Sequence, residues 1–133
     1  MYIFDTDTLS EVLRRAPSPR LLARLAVVPP EQQFTTAITV GEMVYGAYRS
    51  QKREDLLRQL QERVWPNIRI LAFDRTAAET YGPLRAQLER AGTSLDEPDM
   101  RIAAIALTHD LTVVTGNTRH FGRVEGLRVE SWM

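Results

Sequence analysis

The chain of 133 residues contains no cysteine, a single lysine and only two histidines, His109 and His120. Without cysteine the protein can form neither a disulfide framework nor a thiolate zinc site, and two histidines are too few for a histidine-rich metal centre. No apolar run approaches the ~20 residues that span a bilayer. The first residues also lack the basic and apolar regions of a secretory signal. We therefore expect a cytoplasmic protein with no membrane contact.

The net charge is zero, because 17 basic residues balance 17 acidic ones. A neutral protein exerts no strong sequence-independent attraction on a polyanion. Apart from Lys52, however, every basic residue is arginine. Arginine pairs with phosphate through two N–H groups and stacks on bases, so this bias suits nucleic acid. It equally fits a GC-rich genome that favours arginine codons, and charge alone leaves both interpretations open.

Apolar patterns along the chain predict strands that alternate with helices. The predicted strands cover residues 1–5, 34–38, 69–73, 111–115 and, as a short last strand, 127–131. The predicted helices begin at the capping box Thr8-Leu9-Ser10-Glu11 and then cover about residues 20–28, 40–49, 53–64, 76–91 and 100–107. This alternation predicts one α/β domain over residues 1–133, with a parallel sheet of four to five strands between two layers of helices.

Four acidic residues occupy strand ends or helix starts in this pattern. Asp5 ends the first strand, Glu42 lies in the opening turn of the helix after the second, and Asp96 and Asp99 flank the start of the helix at residues 100–107. In a parallel sheet these places share one edge, so we expect the four acids to meet there. Carboxylates gathered without a cation repel one another, whereas Mg²⁺ or Mn²⁺ prefers such oxygen ligands. The sequence therefore predicts a divalent metal site.

Each acid also has a purely structural explanation. Glu42 closes a second capping box with Thr39, in which its carboxylate would bond a backbone N–H. Asp96 could cap a helix, and Asp99 could interact with the helix dipole. Asp5 is harder to explain in this way, because a carboxylate directly after a buried strand must be compensated for its lost hydration. We favour the joint interpretation, whose best-fitting chemistry is metal-assisted hydrolysis of a phosphate ester.

Further polar groups follow the fourth predicted strand in the segment Thr-Gly-Asn-Thr-Arg-His-Phe, residues 115–121. Thr115 and Asn117 could orient a water molecule or a ligating carboxylate through hydrogen bonds. A simple Gly-Asn turn explains the same segment. Both explanations stay open.

Four segments of the chain resemble the PIN-domain ribonucleases, and within them the VapC toxins of bacterial toxin–antitoxin pairs. They are FDTD at residues 4–7, ITVGEMVYGA at 38–47, DMRIAAIAL at 99–107 and TGNTRHF at 115–121. The resemblance covers nearly the whole chain. It implies a PIN-like three-layer fold and cleavage of RNA by a magnesium- or manganese-dependent endonuclease. It also implies a cognate VapB-type antitoxin that inserts a segment into the active-site groove.

The resemblance assigns roles to single residues. Asp5, Glu42 and Asp99 match the metal-binding, catalytic acids of the family. Thr6 and Asn117 match its polar helpers.

Three further residues are auxiliary candidates. Asp96 falls in a stretch where an additional acid is common in the family. His120 stands where many members have an aspartate, so whether a second metal ion binds is an open question. His120 could bind Mn²⁺, contact the scissile phosphate, or simply lie on the surface. Arg119 is the expected contact to the RNA backbone.

Two other functions fit parts of the sequence. Asp5-Thr6-Asp7 resembles the nucleophile motif of haloacid-dehalogenase-like phosphatases, in which the first aspartate forms a covalent phosphoryl intermediate. That motif should continue with a threonine where this chain has Leu9, and the only lysine, Lys52, lies in a polar stretch. The other alternative is a catalytically degenerate PIN domain that binds RNA or a partner protein.

The N-terminal helices have more apolar surface than one small sheet is expected to cover. The residues that form it are Leu9, Val12, Leu13, Leu21, Leu22 and Leu25. Spare apolar surface indicates an interface, while burial in the core is the alternative. A homodimer bound to the antitoxin would fit the first explanation. DNA would then be contacted only indirectly, through the antitoxin.

Overall fold

The computed structural model describes all of residues 1–133 and is built on one sheet of five parallel strands. The strands are β1 (Tyr2–Phe4), β2 (Gln33–Thr36), β3 (Arg69–Leu71), β4 (Thr112–Val114) and β5 (Val129–Glu130). Their order across the sheet is β3-β2-β1-β4-β5, which places β1 at the centre. The carboxyl ends of all five strands therefore share one edge, as the sequence predicts.

Seven α-helices connect and flank the strands. They are α1 (Thr6–Val12), α2 (Pro19–Val27), α3 (Ala37–Arg49), α4 (Arg53–Gln59), α5 (Arg75–Ala91), α6 (Glu97–Thr108) and α7 (Thr118–Phe121). A π-helical turn, Leu60–Val64, continues α4 without a break. Short 3₁₀ turns cover Pro30–Gln32 and Trp65–Asn67.

The two faces of the sheet are covered by separate apolar clusters. Along β1, Ile3 belongs to the larger cluster of 16 residues, which is built mainly with α5 and α6, while Phe4 belongs to the smaller cluster of eight with α1 and α2. Val113 and Val114 of β4 divide in the same way. Because successive side chains of a strand point to opposite faces, this division shows helices packed on both sides. The predicted three-layer architecture is confirmed.

The first and third helices begin earlier than their capping boxes predict. Helix α1 starts at Thr6 because the carboxylate of Asp5 accepts a hydrogen bond from the Thr6 N–H at 2.7 Å. The predicted cap, Thr8, is instead buried, and its hydroxyl donates to the backbone oxygen of Val114. The prediction of a start at Thr8 is therefore wrong.

Helix α3 starts at Ala37, directly after β2, because the hydroxyl of Thr36 caps it by accepting from the Thr39 N–H at 3.0 Å. Residues 37 and 38 are thus helical, although the sequence predicts them in the strand. Glu42 lies in the second turn of this helix and not in its opening turn. The second capping box is consequently absent, so the carboxylate of Glu42 is not explained by helix capping.

Helices α5 and α6 follow the sequence more closely. Gly92 ends α5 in the left-handed conformation at φ 69°, as predicted, and Pro83 lies inside α5 without ending it. Helix α6 begins at Glu97, three residues before the predicted start, and has Asp99 in its first turn. Asp96 is the N-cap residue, but its side chain makes no capping hydrogen bond.

Most of the apolar surface of the N-terminal helices is used inside the molecule. Leu9 and Leu21 are buried in the smaller cluster, and Val12, Leu13 and Leu25 pack against it. Only Leu22 is left largely open, with 44% of its surface exposed. No helix is both long enough and apolar enough to cross a membrane.

Candidate active site

Asp5 lies at the carboxyl end of the central strand and is the most deeply buried acid of the site, with 6% of its surface exposed. One carboxylate oxygen accepts from the Thr6 N–H, and the other accepts from the hydroxyl of Thr115 at 2.8 Å. Burial, followed by the nearby charge of Asp7, raises the pKa of Asp5 to about 7. The two hydrogen bonds oppose this rise without cancelling it.

Asp7 joins the site, although the sequence analysis does not place it there. One of its carboxylate oxygens accepts from the Gly116 N–H at 2.9 Å, and the hydroxyl of Thr115 lies 3.3 Å from the other. Its spacing in the sequence could have indicated this position, because an acid two residues after Asp5 falls in the first turn of α1 at the same edge of the sheet. The sequence analysis uses that spacing only for the phosphatase motif.

Glu42 reaches the same edge from α3. Its carboxylate accepts a hydrogen bond from the Thr6 hydroxyl at 2.7 Å. Thr6 thereby contacts two of the predicted acids, since its N–H bonds Asp5 and its hydroxyl bonds Glu42. This matches the helper role that the family resemblance implies for Thr6.

Asp99 brings the third element, α6, to the site. Burial and the charges of Asp96 and Glu42 raise the pKa of Asp99 to about 6, and a smaller opposing effect comes from His120. The charge of Asp99 in turn contributes to the raised pKa of Asp5. Repulsion between carboxylates therefore adds to burial in raising the pKa of both Asp5 and Asp99.

None of the eight ion pairs in the protein involves an acid of this group. We call the group the acidic rim; it consists of Asp5, Asp7, Glu42, Asp96 and Asp99. Each of its members lacks a guanidinium or ammonium partner, while most other acids of the molecule are near an arginine. Buried carboxylates without a positive partner are costly, and a bound cation would relieve that cost.

Carboxylate oxygens fit Mg²⁺ or Mn²⁺, so the chemistry of the rim suits the expected metal. No group of three or more acidic or histidine side chains is arranged so that it could already hold a metal ion. Asp5 and Glu42 instead direct oxygens at the hydroxyls of Thr115 and Thr6. A carboxylate oxygen that accepts one hydrogen bond keeps a lone pair for a cation, so these contacts are compatible with metal binding. The metal-binding roles of the individual acids stay predictions.

The remaining predicted residues differ in how closely they approach the rim. Thr115 is fully buried and bonds Asp5 directly. The Asn117 side chain caps no helix, and only its backbone N–H is engaged, with the Thr115 hydroxyl at 2.9 Å. Arg119 is exposed on α7 and forms no ion pair. Lys52, which the phosphatase alternative would need beside Asp5, is exposed at the start of α4.

An apolar groove of about 460 Å³ opens beside the rim, between α1, α3 and α4. Thr6 and Glu42 form one end of it. The remaining lining residues, five of the eight apolar, are Ser10, Leu13, Arg14, Met43, Gly46, Ala47, Leu56 and Leu60. The groove thus leads from the acids to an apolar surface that a peptide segment could cover.

Comparison with known proteins gives the same family that the four sequence segments resemble. The sequence matches the PIN domain over residues 2–127. It is similar to the tRNA(fMet)-specific endonuclease VapC of Salmonella typhimurium, with 37% identity over 98% of this chain and 97% of the relative. Ribonuclease VapC2 of Haemophilus influenzae is 31% identical over 99% and 98% of the two chains.

Among solved structures, the fold is similar to that in the crystal structure of DNA-bound VapBC from Salmonella typhimurium. The TM-score is 0.91 at 31% identity, and the match covers 99% of this chain and 98% of the other. Full-length matches of sequence and fold at this level leave no room for the phosphatase alternative. The chain therefore belongs to the PIN domain family and, within it, to the VapC ribonucleases, the toxins of VapBC toxin–antitoxin pairs.

Proposed function

We propose that residues 1–133 act as one PIN domain that cleaves RNA endonucleolytically with Mg²⁺ or Mn²⁺, held by Asp5, Glu42 and Asp99. One observation carries the metal dependence: the acidic rim is partly buried, without a cationic partner, and the pKa of Asp5 is raised to about 7. Such a group of acids favours binding of a dication. When bound, the ion would neutralise charge on the phosphoryl oxygens and help to deprotonate the attacking water.

The residues of the chain orient these acids and the RNA. Thr115 fixes one oxygen of Asp5, and Thr6 fixes one oxygen of Glu42. Oriented carboxylates lose less conformational freedom when a ligand binds, so both threonines favour a defined ligand geometry. Asp96 and His120 are auxiliary groups beside Asp99. Arg119, exposed and without an ion-pair partner, is our candidate for holding the RNA backbone.

Substitution of the central acid tests the catalytic proposal. We expect Asp5→Asn to abolish RNA cleavage and growth inhibition while the protein stays folded, since the amide has the size of the carboxyl group but cannot carry its charge. RNA cleavage, growth on induction and circular dichroism would be measured. Asp110→Asn is a matched control, because this exposed aspartate precedes β4 at the opposite edge of the sheet. Cleavage by Asp5→Asn at the wild-type rate would show that the assignment is wrong.

A catalytically degenerate domain is the competing proposal, and metal binding separates the two. We expect calorimetry to detect Mn²⁺ binding to the wild-type protein and to lose it in Asp99→Ala. A degenerate domain would bind no Mn²⁺ that this substitution removes.

The partner of the toxin is proposed to be a VapB-type antitoxin that lies in the apolar groove beside the rim. The groove supports this proposal because Leu13, Met43 and Leu56 offer apolar contacts next to Glu42. The similar fold in the structure of DNA-bound VapBC from Salmonella typhimurium belongs to a VapBC complex, which supports a partner of the same class. Gly46→Leu would extend an apolar side chain into the groove from a position where a Cβ meets nothing within 4 Å. Loss of antitoxin binding with retained RNA cleavage is the expected result.

We further propose that the toxin is a homodimer, contacts DNA only through its antitoxin and acts in the cytoplasm, where its RNA substrates are. Sedimentation of the purified chain tests the first point. A gel-shift assay of promoter DNA with and without antitoxin tests the second.

A further inference from the structure

Two tyrosines lie exposed on α3 close to the acidic rim. Tyr45 and Tyr48 have 62% and 60% of their surface exposed, and they are the only largely exposed aromatic residues of the protein. Single exposed apolar residues are ordinary. Two large rings on one helix face, beside a proposed nuclease site, form a surface that stacking could use.

Each ring is paired with an arginine. The guanidinium of Arg49 lies 5.6 Å from the ring centre of Tyr45, and that of Arg53 lies 5.1 Å from the ring centre of Tyr48. Neither arginine forms an ion pair, nor does the neighbouring Lys52. These three cations therefore give the face positive charge that is not taken up in ion pairs.

The tyrosine face is continuous with the site. Glu42, Tyr45 and Arg49 stand at positions i, i+3 and i+7, which lie along one side of a helix. Gly41, one turn before Tyr45 on the same side of α3, is exposed, and nothing lies within 4 Å of a Cβ built on it. A strand whose phosphate lay at Glu42 would therefore have open surface beside Gly41 and the rings one to two turns further along α3.

We infer that α3 carries a stacking surface for single-stranded RNA, in which bases stack on Tyr45 and Tyr48 and phosphates pair with Arg49 and Arg53. This inference rests on the proposed action on RNA. Aromatic rings with nearby arginines are the groups that bind single strands, because bases stack on rings and guanidinium groups bind phosphate. The surface would hold nucleotides next to the scissile bond and so contribute to substrate choice.

The charges favour RNA over a second copy of the chain as the occupant. In a symmetric dimer formed through this face the same patch meets itself, so one interface would hold the arginines of both copies. Like charges facing each other across an interface are costly. A polyanion meets the same face with complementary charge.

The test is binding of a fluorescein-labelled, single-stranded RNA of 20 nucleotides to the full chain in EDTA, followed by fluorescence anisotropy. Stacking is worth enough that each of Tyr45→Ala and Tyr48→Ala should weaken binding by roughly five-fold to 150-fold. Tyr45→Phe and Tyr48→Phe keep the ring and should bind like wild type. Val27→Ala, which removes similarly exposed apolar surface from α2, is the matched control and should also bind like wild type.

The outcomes separate this inference from the proposed nuclease activity. If the wild-type protein cleaves RNA and the alanine variants bind it unchanged, the stacking surface is wrong and the nuclease stands. The nuclease proposal fails and the stacking surface stands if the wild type binds RNA in EDTA but does not cleave it with Mg²⁺ or Mn²⁺, while the alanine variants lose binding. Absence of RNA binding by the wild type overturns the inference. So does a change from dimer to monomer in the alanine variants, because the face would then be a contact between copies.

Discussion

The carboxyl group of Asp5 couples the stability of the fold to pH. Burial raises its pKa to about 7, from an ordinary value of 3.8 that it regains in the unfolded chain. The folded protein therefore holds this proton more tightly than the unfolded chain does. By linkage, the stabilisation is fully present below about pH 4 and is lost as the pH rises through 7. Asp99, with its pKa raised to about 6, acts in the same direction.

This coupling predicts a pH-dependent melting temperature for the metal-free protein. In EDTA, the wild type should melt at a lower temperature at pH 8 than at pH 5. Asp5→Asn should show a smaller decrease, because its amide does not ionise, while Asp99 still titrates. Thermal denaturation followed by circular dichroism measures both proteins. Identical pH dependence in the two would mean that Asp5 is already ionised at pH 5.

Thr6 should affect metal affinity more than stability. Thr6→Val removes the hydroxyl that donates to Glu42 and keeps the shape of the side chain. Loss of a group that orients a metal ligand typically lowers metal affinity by about 10- to 100-fold. We expect that loss in Mn²⁺ titrations, with recovery in Thr6→Ser, which restores the hydroxyl. An unchanged Mn²⁺ affinity in Thr6→Val would show that Glu42 needs no orientation by Thr6.

The residues of the site could be predicted from sequence only as far as topology determines them. The positions of Asp5 and Asp99 at the site follow from the parallel sheet, because strand ends and helix starts share one edge. The role of Asp7 could not be predicted in this way, since it depends on the close approach of Gly116, a residue 109 positions away. Nor could the sequence show that Thr6 lies between Asp5 and Glu42, because this depends on how α1 and α3 pack.

At the scale of elements, the loop after β4 is shaped by a glycine. A Cβ added to Gly116 would lie 2.8 Å from an oxygen of Asp7 and 2.8 Å from the terminal methyl of Met133. The absence of a side chain at Gly116 leaves room for the Asp7 carboxylate of α1 at this short distance. That approach allows the Gly116 N–H to bond Asp7.

Two glycine substitutions should therefore have opposite effects. Gly116→Ala should destabilise the fold by about 1 kcal/mol, because the Asp7 carboxylate and the Met133 methyl must move and the hydrogen bond from the Gly116 N–H to Asp7 is weakened. Gly41→Ala should stabilise it by about 0.5–1 kcal/mol, because Gly41 lies in the middle of α3 with open space around it. Urea denaturation measures both. A neutral Gly116→Ala would indicate that the loop moves away freely.

Except for the four-residue helix α7, which the sequence analysis does not predict, every strand and α-helix is predictable and the errors lie at the boundaries. All five strands and their parallel arrangement follow from the alternation of apolar segments. The starts of α1 and α3 differ from the prediction because each helix begins directly after its strand. Asp5 and Thr36 lie at the ends of the strands and at the same time cap the helices. Periodicity within the chain does not resolve such direct passages from strand to helix.

At the scale of the whole molecule, Trp132 joins residues from distant parts of the chain. Its ring packs edge-on against Tyr2 and Phe4 of the central strand, with centroid distances of 4.9 and 5.3 Å. The guanidinium of Arg24 in α2 lies 4.6 Å from the ring centre. Its indole N–H is buried without a hydrogen-bond partner, so the ring is held by packing.

Removal of this ring should be costly. Trp132→Ala is expected to lower the free energy of unfolding by about 3–5 kcal/mol, the usual range for a large buried aromatic residue. Denaturant titration with Val27→Ala as an exposed control would measure the difference. A loss below about 1 kcal/mol would contradict the view that Trp132 closes the smaller core.

The long separation of Asp5 from Thr115, 110 positions along the chain, has a consequence during synthesis. Contacts between such distant residues form late, and a nascent domain completes its fold only after its last strands have left the ribosome. The hydrogen bond between Asp5 and Thr115 cannot form while β4 is still inside the exit tunnel. The growing chain therefore lacks this fixed orientation of Asp5 until its synthesis is almost complete.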